Sequence, residues 1–353
     1  MKILFLADPS PNLDNWILGI KNVDKEVEIT VKSLRFPSTF INKAIRILQW
    51  FEWIFLINKM VKDGKYDLVI GYRIPSYGFL ASFVKSKPLV IAAQGASDVW
   101  PPTGFSSNFK KILHKHAIKK ADLVQAWGNE MKNDIIHAYP SEHKILVLPR
   151  GIDLSIYNTN KREKNPLIDK QYVYNFITTR SLSIDYNHDK ILKGFYEFKK
   201  FGIPFRYYIA GTGKLEEKLK KLSSELGLDS EVKFLGRLNL EQLSDYYQKS
   251  DVYISIPVTE GVSASLFEAM ACGCYPILSN LTAYQQFIQN KKNGTIIKSL
   301  TAKNIAWDIL DSIGNQNYLI EAALINDDLI HNIADSKKNM QMFLMKYREL
   351  CVE

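Results

Sequence analysis

The amino-acid sequence predicts an α/β protein with two doubly wound domains, in which helices cover both faces of a parallel sheet. Short apolar segments rich in β-branched residues alternate with helix-like stretches along both halves of the chain. The chain has 353 residues, of which 46% are hydrophobic. It can therefore bury a substantial core and is long enough for two domains of ordinary size.

The predicted elements follow this alternation from the first residues onward. In the first half, strands are predicted at residues 2–7, 27–33, 67–72, 88–93, 123–126 and 144–149, with a basic helix at 108–120. In the second half, strands are predicted at 174–179, 205–210, 232–235, 252–257 and 275–279, and helices at 190–201, 215–226, 240–249 and 264–272. Ligands of such folds bind at the carboxyl ends of the strands, so we expect the two domains to face each other across a central cleft.

The domain border is predicted at the polar stretch NTNKREKNP, residues 158–166, where the apolar rhythm is lost. The first domain is then residues 1–157 and the second 166–335. The remaining segment, 336–353, contains a helix over roughly 336–350 that we expect to cross back to the first domain.

Cysteine usage and the amino terminus indicate a cytoplasmic protein. Three cysteines give no disulfide framework, and Cys272 and Cys274 are too close together for the usual zinc spacing. The first residues, MKILFLAD, lead directly into a strand, and no apolar run approaches the roughly 20 residues that span a bilayer. We therefore expect the protein to be neither secreted nor integral to the membrane.

The net charge of +9 is concentrated in the first half of the chain. Residues 1–165 hold 24 Lys and Arg against 15 Asp and Glu, whereas the remainder is balanced at 22 against 22. Such asymmetry indicates an anionic partner for the first half, either nucleic acid or an anionic membrane surface.

The segment from Thr259 to Gly273 combines features of an anion and hydroxyl site. A strand delivers the loop to the carboxyl edge of its sheet, Gly261 permits close approach of a ligand, and Ser263 can cap the following helix. The free N–H groups at that helix end can bind a diphosphate. Glu260 and Glu268 are separated by otherwise uncharged residues, and their carboxylates can accept hydrogen bonds from adjacent sugar hydroxyls. The alternative is that both are ordinary solvated glutamates.

In sequence, TEGVSASLFEAMACGCYPILS resembles the EX7E signature of the retaining glycosyltransferases of family 4, whose fold is GT-B, with two Rossmann-like domains. The resemblance covers residues 2 to about 297. It includes the stretch from Gly211 to Leu238 and LSDYYQKSDVYIS in the second half, and ADLVQAWGNEMKNDII and KILVLPRGIDLSIYN in the first.

The resemblance implies a role for each matching residue. Glu268 would bind the nucleotide ribose, Glu260 would face the transferred sugar, and Arg180 would neutralise the diphosphate with its fixed fork of donors. The amides of Gly261, Val262 and Ser263 would contact the sugar and phosphates. The base-binding stretch contributes Gly211, Gly213, Arg237 and Leu238.

The sequence departs from the family pattern at three places. The family's usual second basic residue, a lysine six positions after the arginine, is Tyr186 here, so leaving-group stabilisation should rest more on Arg180 and the helix end. The frequent Gly-Gly loop after the first strand is missing. A histidine common in the first domain is replaced by Gln94 or Gly95. Candidates on the acceptor side, which could equally be ordinary loop residues, are Asn12, Gln94, Ser97 and Asp98.

A second feature is the aromatic and basic segment FINKAIRILQWFEWIFLINKM, residues 40–60. Its polar positions follow near-helical spacing and leave a wide apolar side. That side could pack on the sheet, or it could lie in a membrane interface, which the charge of this half favours. Nucleic acid is disfavoured, because no recognised binding motif or aromatic stacking platform is present.

These features predict a metal-independent retaining glycosyltransferase that uses a nucleotide-sugar donor, with UDP preferred over GDP, and a glycan or lipid-linked acceptor. No cofactor or metal is expected, since there is neither an Asp-x-Asp pair nor a His/Cys cluster. We expect the protein at the inner face of the cell membrane, in cell-surface polysaccharide or glycolipid synthesis. The alternatives are a UDP-sugar epimerase of the same shape and a degenerate accessory protein that binds the donor.

Overall fold

The computed structural model describes residues 1–34, 43–85, 87–94, 107–140, 144–149, 151–160, 172–261, 263–314 and 316–352. The chain divides into two compact units, Met1–Arg150 together with Ser336–Glu353, and Gly151–Asp335. Each unit contains a six-stranded sheet whose paired strands all run parallel. The prediction of two doubly wound α/β domains is confirmed.

The first unit is a sheet of order β2-β1-β3-β4-β5-β6. Its strands are β1 Lys2–Leu6, β2 Glu28–Lys32, β3 Leu68–Tyr72, β4 Leu89–Ala92, β5 Leu123–Ala126 and β6 Ile145–Val147. Its helices are α1 Pro11–Val23, α2 Lys43–Gly64, α3 Ser107–Lys120, α4 Asn129–Ala138 and α12 Ser336–Val352. Two short helical segments, Arg73–Gly78 and Phe79–Ala81, join β3 to β4.

The reversal of strand order at β1 sends the helices of this unit to opposite faces of the sheet. Connections between parallel strands are right-handed, so α1 lies on one face and α2 and α3 lie on the other. The packing agrees, because Ile57 of α2 and Ala117 of α3 share a buried cluster with Phe79, whereas α12 packs against α1.

The last helix, α12, is an integral part of the first unit. The Tyr347 hydroxyl donates to the buried Gln125 Oε1 at 2.9 Å, and the rings of Trp16 and Phe343 pack with their centroids 6.0 Å apart. Arg348 forms an ion pair with Asp24 at the end of α1. The chain therefore returns to its first sheet after completing the second unit.

The second unit is a sheet of order β12-β11-β10-β7-β8-β9. Its strands are β7 Tyr174–Thr178, β8 Phe205–Ala210, β9 Val232–Gly236, β10 Val252–Ser255, β11 Tyr275–Ser279 and β12 Thr295–Ile297. Its helices are α5 His188–Lys199, α6 Glu216–Glu225, α7 Leu240–Gln248, α8 Ala264–Ala271, α9 Thr282–Gln285, α10 Ala302–Ile313 and α11 Gln316–Ile333. Central strands such as β10 are entirely buried, as their mainly apolar sequence favours.

The border between the units differs from the predicted one. The first unit ends at Arg150 rather than at residue 157, because Ile152 and Tyr157 pack in a buried cluster of the second unit. The Ile152 N–H also donates to the Ala334 carbonyl at 2.7 Å, at the end of α11. The polar stretch at 158–166 has the composition of a linker, but the residues just before it already pack in the second unit. Residues 161–171 lie outside the described part of the chain.

Candidate active site

The loop between β10 and α8 lies at the carboxyl edge of the second sheet, where ligands of open α/β sheets bind. Ser263 is the N-cap of α8, and its Oγ accepts from the Leu266 N–H at 3.4 Å. Gly261 is exposed, a Cβ there would meet nothing within 4 Å, and its N–H donates to Glu260 Oε1 at 3.2 Å. The loop therefore presents an open helix end next to a carboxylate. Val262 lies outside the described residues.

Arg180 is the centre of a polar network at this edge. It follows β7, which is paired with β10, so the ends of the two strands lie side by side. One guanidinium nitrogen donates to Ser263 Oγ at 2.9 Å and to Ser265 Oγ at 2.8 Å. The other donates to the Tyr186 hydroxyl at 3.0 Å and forms an ion pair with Glu260. These four partners fix the cation at the amino terminus of α8.

Tyr186 holds the same guanidinium through its ring as well as its hydroxyl. The Arg180 guanidinium carbon lies 4.4 Å from the Tyr186 ring centroid, which is within the range of a cation–π contact. The side chains of Arg180 and Glu260 are only 12% and 15% exposed, so their attraction is little screened by solvent. The position that is lysine in the similar family thus holds the arginine in place and adds no second cation.

Glu268 occupies a different electrostatic environment from Glu260. It lies on α8, and its Oε2 accepts from the Tyr247 hydroxyl at 3.2 Å. That hydroxyl also lies 2.7 Å from Thr179 Oγ1, so the carboxyl is tied to the end of β7. Burial raises the pKa of the Glu268 carboxyl to about 7, although the Tyr247 hydrogen bond and the charge of Arg180 act to lower it. Glu268 therefore changes its charge near neutral pH.

Gly211 and Gly213 allow the loop after β8 to pack against the backbone that carries Arg180. Gly211 has φ +152°, and a Cβ there would lie 2.3 Å from the Arg180 carbonyl oxygen. A Cβ at Gly213 would lie 2.4 Å from the Leu182 carbonyl oxygen. The backbone cannot yield at such distances, so both glycines are required for this close approach.

The other predicted donor residues lie along the same sheet edge. Arg237 and Leu238 follow β9, the strand next to β8, with Arg237 exposed and Leu238 half-buried. The carboxyl ends of β10, β7, β8 and β9 thus carry Glu260, Arg180, the Gly211 loop and Arg237 in that spatial order. The structure brings Glu260, Ser263 and Tyr186 into contact with Arg180, and it places Glu268 one turn of α8 farther along.

The candidates of the first unit are only partly described. Asn12 lies in the first turn of α1, whose N-cap is Ser10. Gln94 follows β4, and its side-chain amide donates to the Ala92 carbonyl at 3.2 Å. Ser97 and Asp98 lie outside the described residues. The acceptor roles of these four residues stay predictions.

Several polar residues of these sheet edges were not singled out from the sequence. Ser265 and Tyr247 contact Arg180 and Glu268, and the buried His188 ring lies 3.0 Å from the Ser181 carbonyl, next to Arg180. Burial lowers the pKa of His188, which favours its neutral form. Ser265 could have been found from the sequence, because its hydroxyl lies two residues after the Ser263 cap. Tyr247 and His188 lie outside the Thr259–Gly273 segment, and nothing in the local sequence marks them as site residues.

In the first unit, Asp8 after β1 accepts hydrogen bonds from the Tyr77 hydroxyl at 2.5 Å and from Ser33 Oγ at 2.8 Å. Burial and the neighbouring Asp8 raise the pKa of Tyr77, so the phenol stays protonated and donates. This polar group lies at the carboxyl edge of the first sheet. In the sequence, the only indication of this group is the position of Asp8, shortly after the first strand.

Within the described parts of the chain, no group of three or more His, Cys, Asp or Glu side chains is arranged to hold a metal ion. The helices described there also include none that is long and apolar enough to cross a bilayer.

Comparison with known proteins identifies the kind of protein that carries this site. The model of the family "Glycosyl transferases group 1" matches residues 158–324, and that of "Glycosyltransferase Family 4" matches residues 18–156. An uncharacterised glycosyltransferase of Methanocaldococcus jannaschii is 25% identical over 314 residues, 83% of this chain and 79% of that protein.

A second relative is the Campylobacter jejuni N-acetylgalactosamine-N,N'-diacetylbacillosaminyl-diphospho-undecaprenol 4-alpha-N-acetylgalactosaminyltransferase. It is 27% identical over 173 residues, 48% of this chain and 45% of that protein. Among solved structures, Anabaena HepE in complex with UDP superposes with a TM-score of 0.76 at 15% identity, covering 99% of this chain and 100% of that one. The two family models each match one half of the chain, and the fold is that of GT-B enzymes: the protein is a glycosyltransferase of GT-B fold, similar in its first half to family 4 and in its second half to group 1.

Proposed function

We propose that this protein transfers a sugar from a UDP-sugar to a hydroxyl of a glycan or lipid-linked acceptor, with retention of configuration at the anomeric carbon and without a metal ion. The observation that carries this proposal is the position of Arg180, a cation held at the amino terminus of α8 by two serine hydroxyls and the Glu260 carboxylate. A helix end with a fixed cation is suited to a diphosphate leaving group.

The reaction breaks the bond between the anomeric carbon and the donor diphosphate and forms a bond to the acceptor oxygen. Negative charge grows on the leaving oxygen, which can take up the proton of the acceptor hydroxyl. Arg180 and the free N–H groups of α8 can stabilise that charge without moving, because the hydroxyls of Ser263, Ser265 and Tyr186 already hold the guanidinium. Since Tyr186 brings no charge, Arg180 is the principal side-chain cation for this step.

The two carboxylates would divide the recognition of the donor. Glu268, deep beside Tyr247, accepts hydrogen bonds from the ribose hydroxyls. Glu260 is paired with Arg180, and an incoming diphosphate competes for that guanidinium, which frees Glu260 to face the sugar. On donor binding, the ion pair of Arg180 with Glu260 would thus be exchanged for one with the diphosphate.

The choice of donor and acceptor is supported by the relatives. Anabaena HepE, of the same fold, was solved with UDP, and the Campylobacter relative acts on a diphospho-undecaprenol-linked sugar. A place in cell-surface polysaccharide or glycolipid synthesis follows from that acceptor class.

The first test is a thermal-shift screen with UDP, GDP and their sugars, since a ligand at 100 times its Kd stabilises by about 2.7 kcal/mol. UDP-sugars should give the largest shift. Each nucleotide sugar is then incubated with and without lipid-linked acceptors, and the anomeric configuration of the product is read by NMR. Conversion of the sugar without acceptor would identify an epimerase, and an inverted product would refute the retaining assignment.

The roles of the site residues are tested by variants in the same assay. Arg180→Ala and Glu260→Gln should reduce transfer by at least about 100-fold, the size expected for losing one pre-positioned group. Glu217→Gln, on the exposed side of α6, is the matched control and should be neutral. Transfer should also survive EDTA. If Glu260→Gln were fully active, or EDTA abolished transfer, the mechanism would be wrong.

A further inference from the structure

The outward side of α2 carries two large aromatic side chains followed by two lysines. Among the positions whose side chains are described, Phe51, Phe55, Lys59 and Lys62 are exposed, and their spacing of four, four and three residues places them in one stripe. Phe51 is 67% exposed and Phe55 73%. The opposite side, with Ile57 in the core, packs against the sheet. The aromatic segment is thus only partly a core element.

The neighbouring helix α3 has an outward side of the same kind. Ile112 is 65% exposed, and Lys111, Lys115 and Lys119 are exposed beside it. Ala117 and Ile118 on the other side are buried. The helix contains no acidic residue, so its outward side is strongly cationic.

The two outward sides belong to one surface. Both helices lie on the same face of the first sheet, and both contact the short segment that starts at Phe79. The rings of Trp50 in α2 and Phe79 are 5.2 Å apart, and His116 in α3 stacks on Phe83 at 5.1 Å. With these residues filling the space between the helices, we define the α2–α3 surface by its exposed residues Phe51, Phe55, Ile112, Lys59, Lys115 and Lys119.

We propose that the α2–α3 surface docks on an anionic lipid bilayer, with its apolar side chains entering the headgroup region and its lysines paired with lipid phosphates. This goes beyond the proposed reaction and does not depend on it. Exposed bulky apolar side chains with lysines beside them are typical of a helix that lies in a membrane interface. Helix α2 also exposes two acidic residues, Glu52 and Asp63. The exposed lysines outnumber them, so the net charge of the surface is positive. The first half of the chain likewise carries the whole net charge of +9.

A protein groove would require a different surface. Protein interfaces bury a contiguous apolar core and are depleted in lysine, whereas here a pair of aromatic side chains and one isoleucine lie beside several exposed lysines. A nucleic-acid surface would use the lysines but would leave Phe51 and Phe55 without a role unless bases stacked on them.

The experiment is flotation of the full-length chain with vesicles of phosphatidylcholine alone and of phosphatidylcholine with phosphatidylglycerol. The protein should float with the anionic vesicles, and binding should weaken as salt is raised. The double variant Phe51→Ser/Phe55→Ser and the double variant Lys115→Glu/Lys119→Glu should each lose binding. The lysine pair should cost at least about 30-fold, given the contribution of each lysine near an anionic surface.

Matched controls separate this surface from general effects. Leu324→Ser removes a side chain that is 69% exposed on α11, and Lys218→Glu/Lys221→Glu reverses two exposed charges on α6. Both controls should float like the wild type. Thermal unfolding and nucleotide-sugar binding of all variants show that they remain folded, and lipid binding is scored whether or not transfer activity is found.

Three outcomes would overturn the proposal. The first is no flotation with anionic vesicles. The second is flotation that the controls reduce as much as the surface variants do. The third is binding to RNA or heparin that matches vesicle binding and is unaffected by Phe51→Ser/Phe55→Ser, which would make the surface a polyanion site.

Discussion

If Glu268 binds the donor as proposed, its raised pKa predicts how donor affinity changes with pH. Burial raises the pKa of this carboxyl to about 7, so it is largely protonated at pH 6 and ionised at pH 8. If the ribose hydroxyls bind the ionised form, the apparent Kd is multiplied by one plus 10 to the power (pKa − pH). That factor is about 11 at pH 6 and about 1.1 at pH 8, so affinity should fall about tenfold, or about 1.4 kcal/mol, on acidification.

The assay is isothermal titration calorimetry of the nucleotide sugar that gives the largest thermal shift. A nucleotide sugar is chosen over the free nucleotide because its diphosphate is esterified at both ends and does not titrate near neutrality. At pH 7 binding should release about half a proton, which is counted from the heats in buffers of different ionisation enthalpy. Glu268→Gln should bind weakly at all pH values and release none. Wild-type affinity that is flat from pH 6 to 8 would refute the reasoning.

The midpoint of this pH dependence should move when Tyr247 is changed. Its hydroxyl donates to Glu268 and thereby lowers the pKa of that carboxyl. Tyr247→Phe removes the donor, so the midpoint should shift above pH 7. Tyr246→Phe, on the same helix, is the matched control. A midpoint that stayed in place or moved down in Tyr247→Phe would mean that another group titrates.

Three further predictions concern stability, and each is measured by the denaturant midpoint. Gly213→Ala would place a Cβ 2.4 Å from the Leu182 carbonyl oxygen and should lower the free energy of unfolding by about 1–3 kcal/mol. Gly261→Ala is the control and should be nearly neutral, because the space around it is open. Equal effects of the two changes would exclude a steric cause. Tyr347→Phe leaves the buried Gln125 oxygen without its donor and should cost about 1–3 kcal/mol, and no change would mean that α12 is not anchored there. Ser263→Ala removes the cap of α8 and should cost about 1 kcal/mol, which Ser263→Thr should largely restore.

The elements that were predicted well are those whose periodicity is strong. β10 and β11 are short, mainly apolar segments, and α8 begins at a serine cap, so their positions follow from local sequence. The predicted elements did not include the short strand β12 or five helices, α1, α4, α9, α10 and α11. α11 carries apolar residues on much of its circumference, and a strand of three residues is too short to give a periodic signal.

The site divides in the same way. Glu260, Ser263 and Glu268 lie in one continuous segment. Their spacing in the chain is therefore enough to predict that two carboxylates lie near the amino terminus of a helix. Tyr247 is distant in sequence from its partner, and it reaches Glu268 only because α7 and α8 pack together. No local pattern marks such a residue.

The sequence by itself determined the α/β class, the two-domain plan and the segment proposed to bind the donor, because binary patterning and a contiguous motif are local properties. Only the tertiary structure decided that Arg180 is neutralised by Glu260 and stacked on Tyr186, and that the Glu268 carboxyl titrates near pH 7. Those properties come from charges and burial contributed by separate strands and helices. Electrostatic energies in a folded protein depend on distances and dielectric surroundings that arise only when those elements pack.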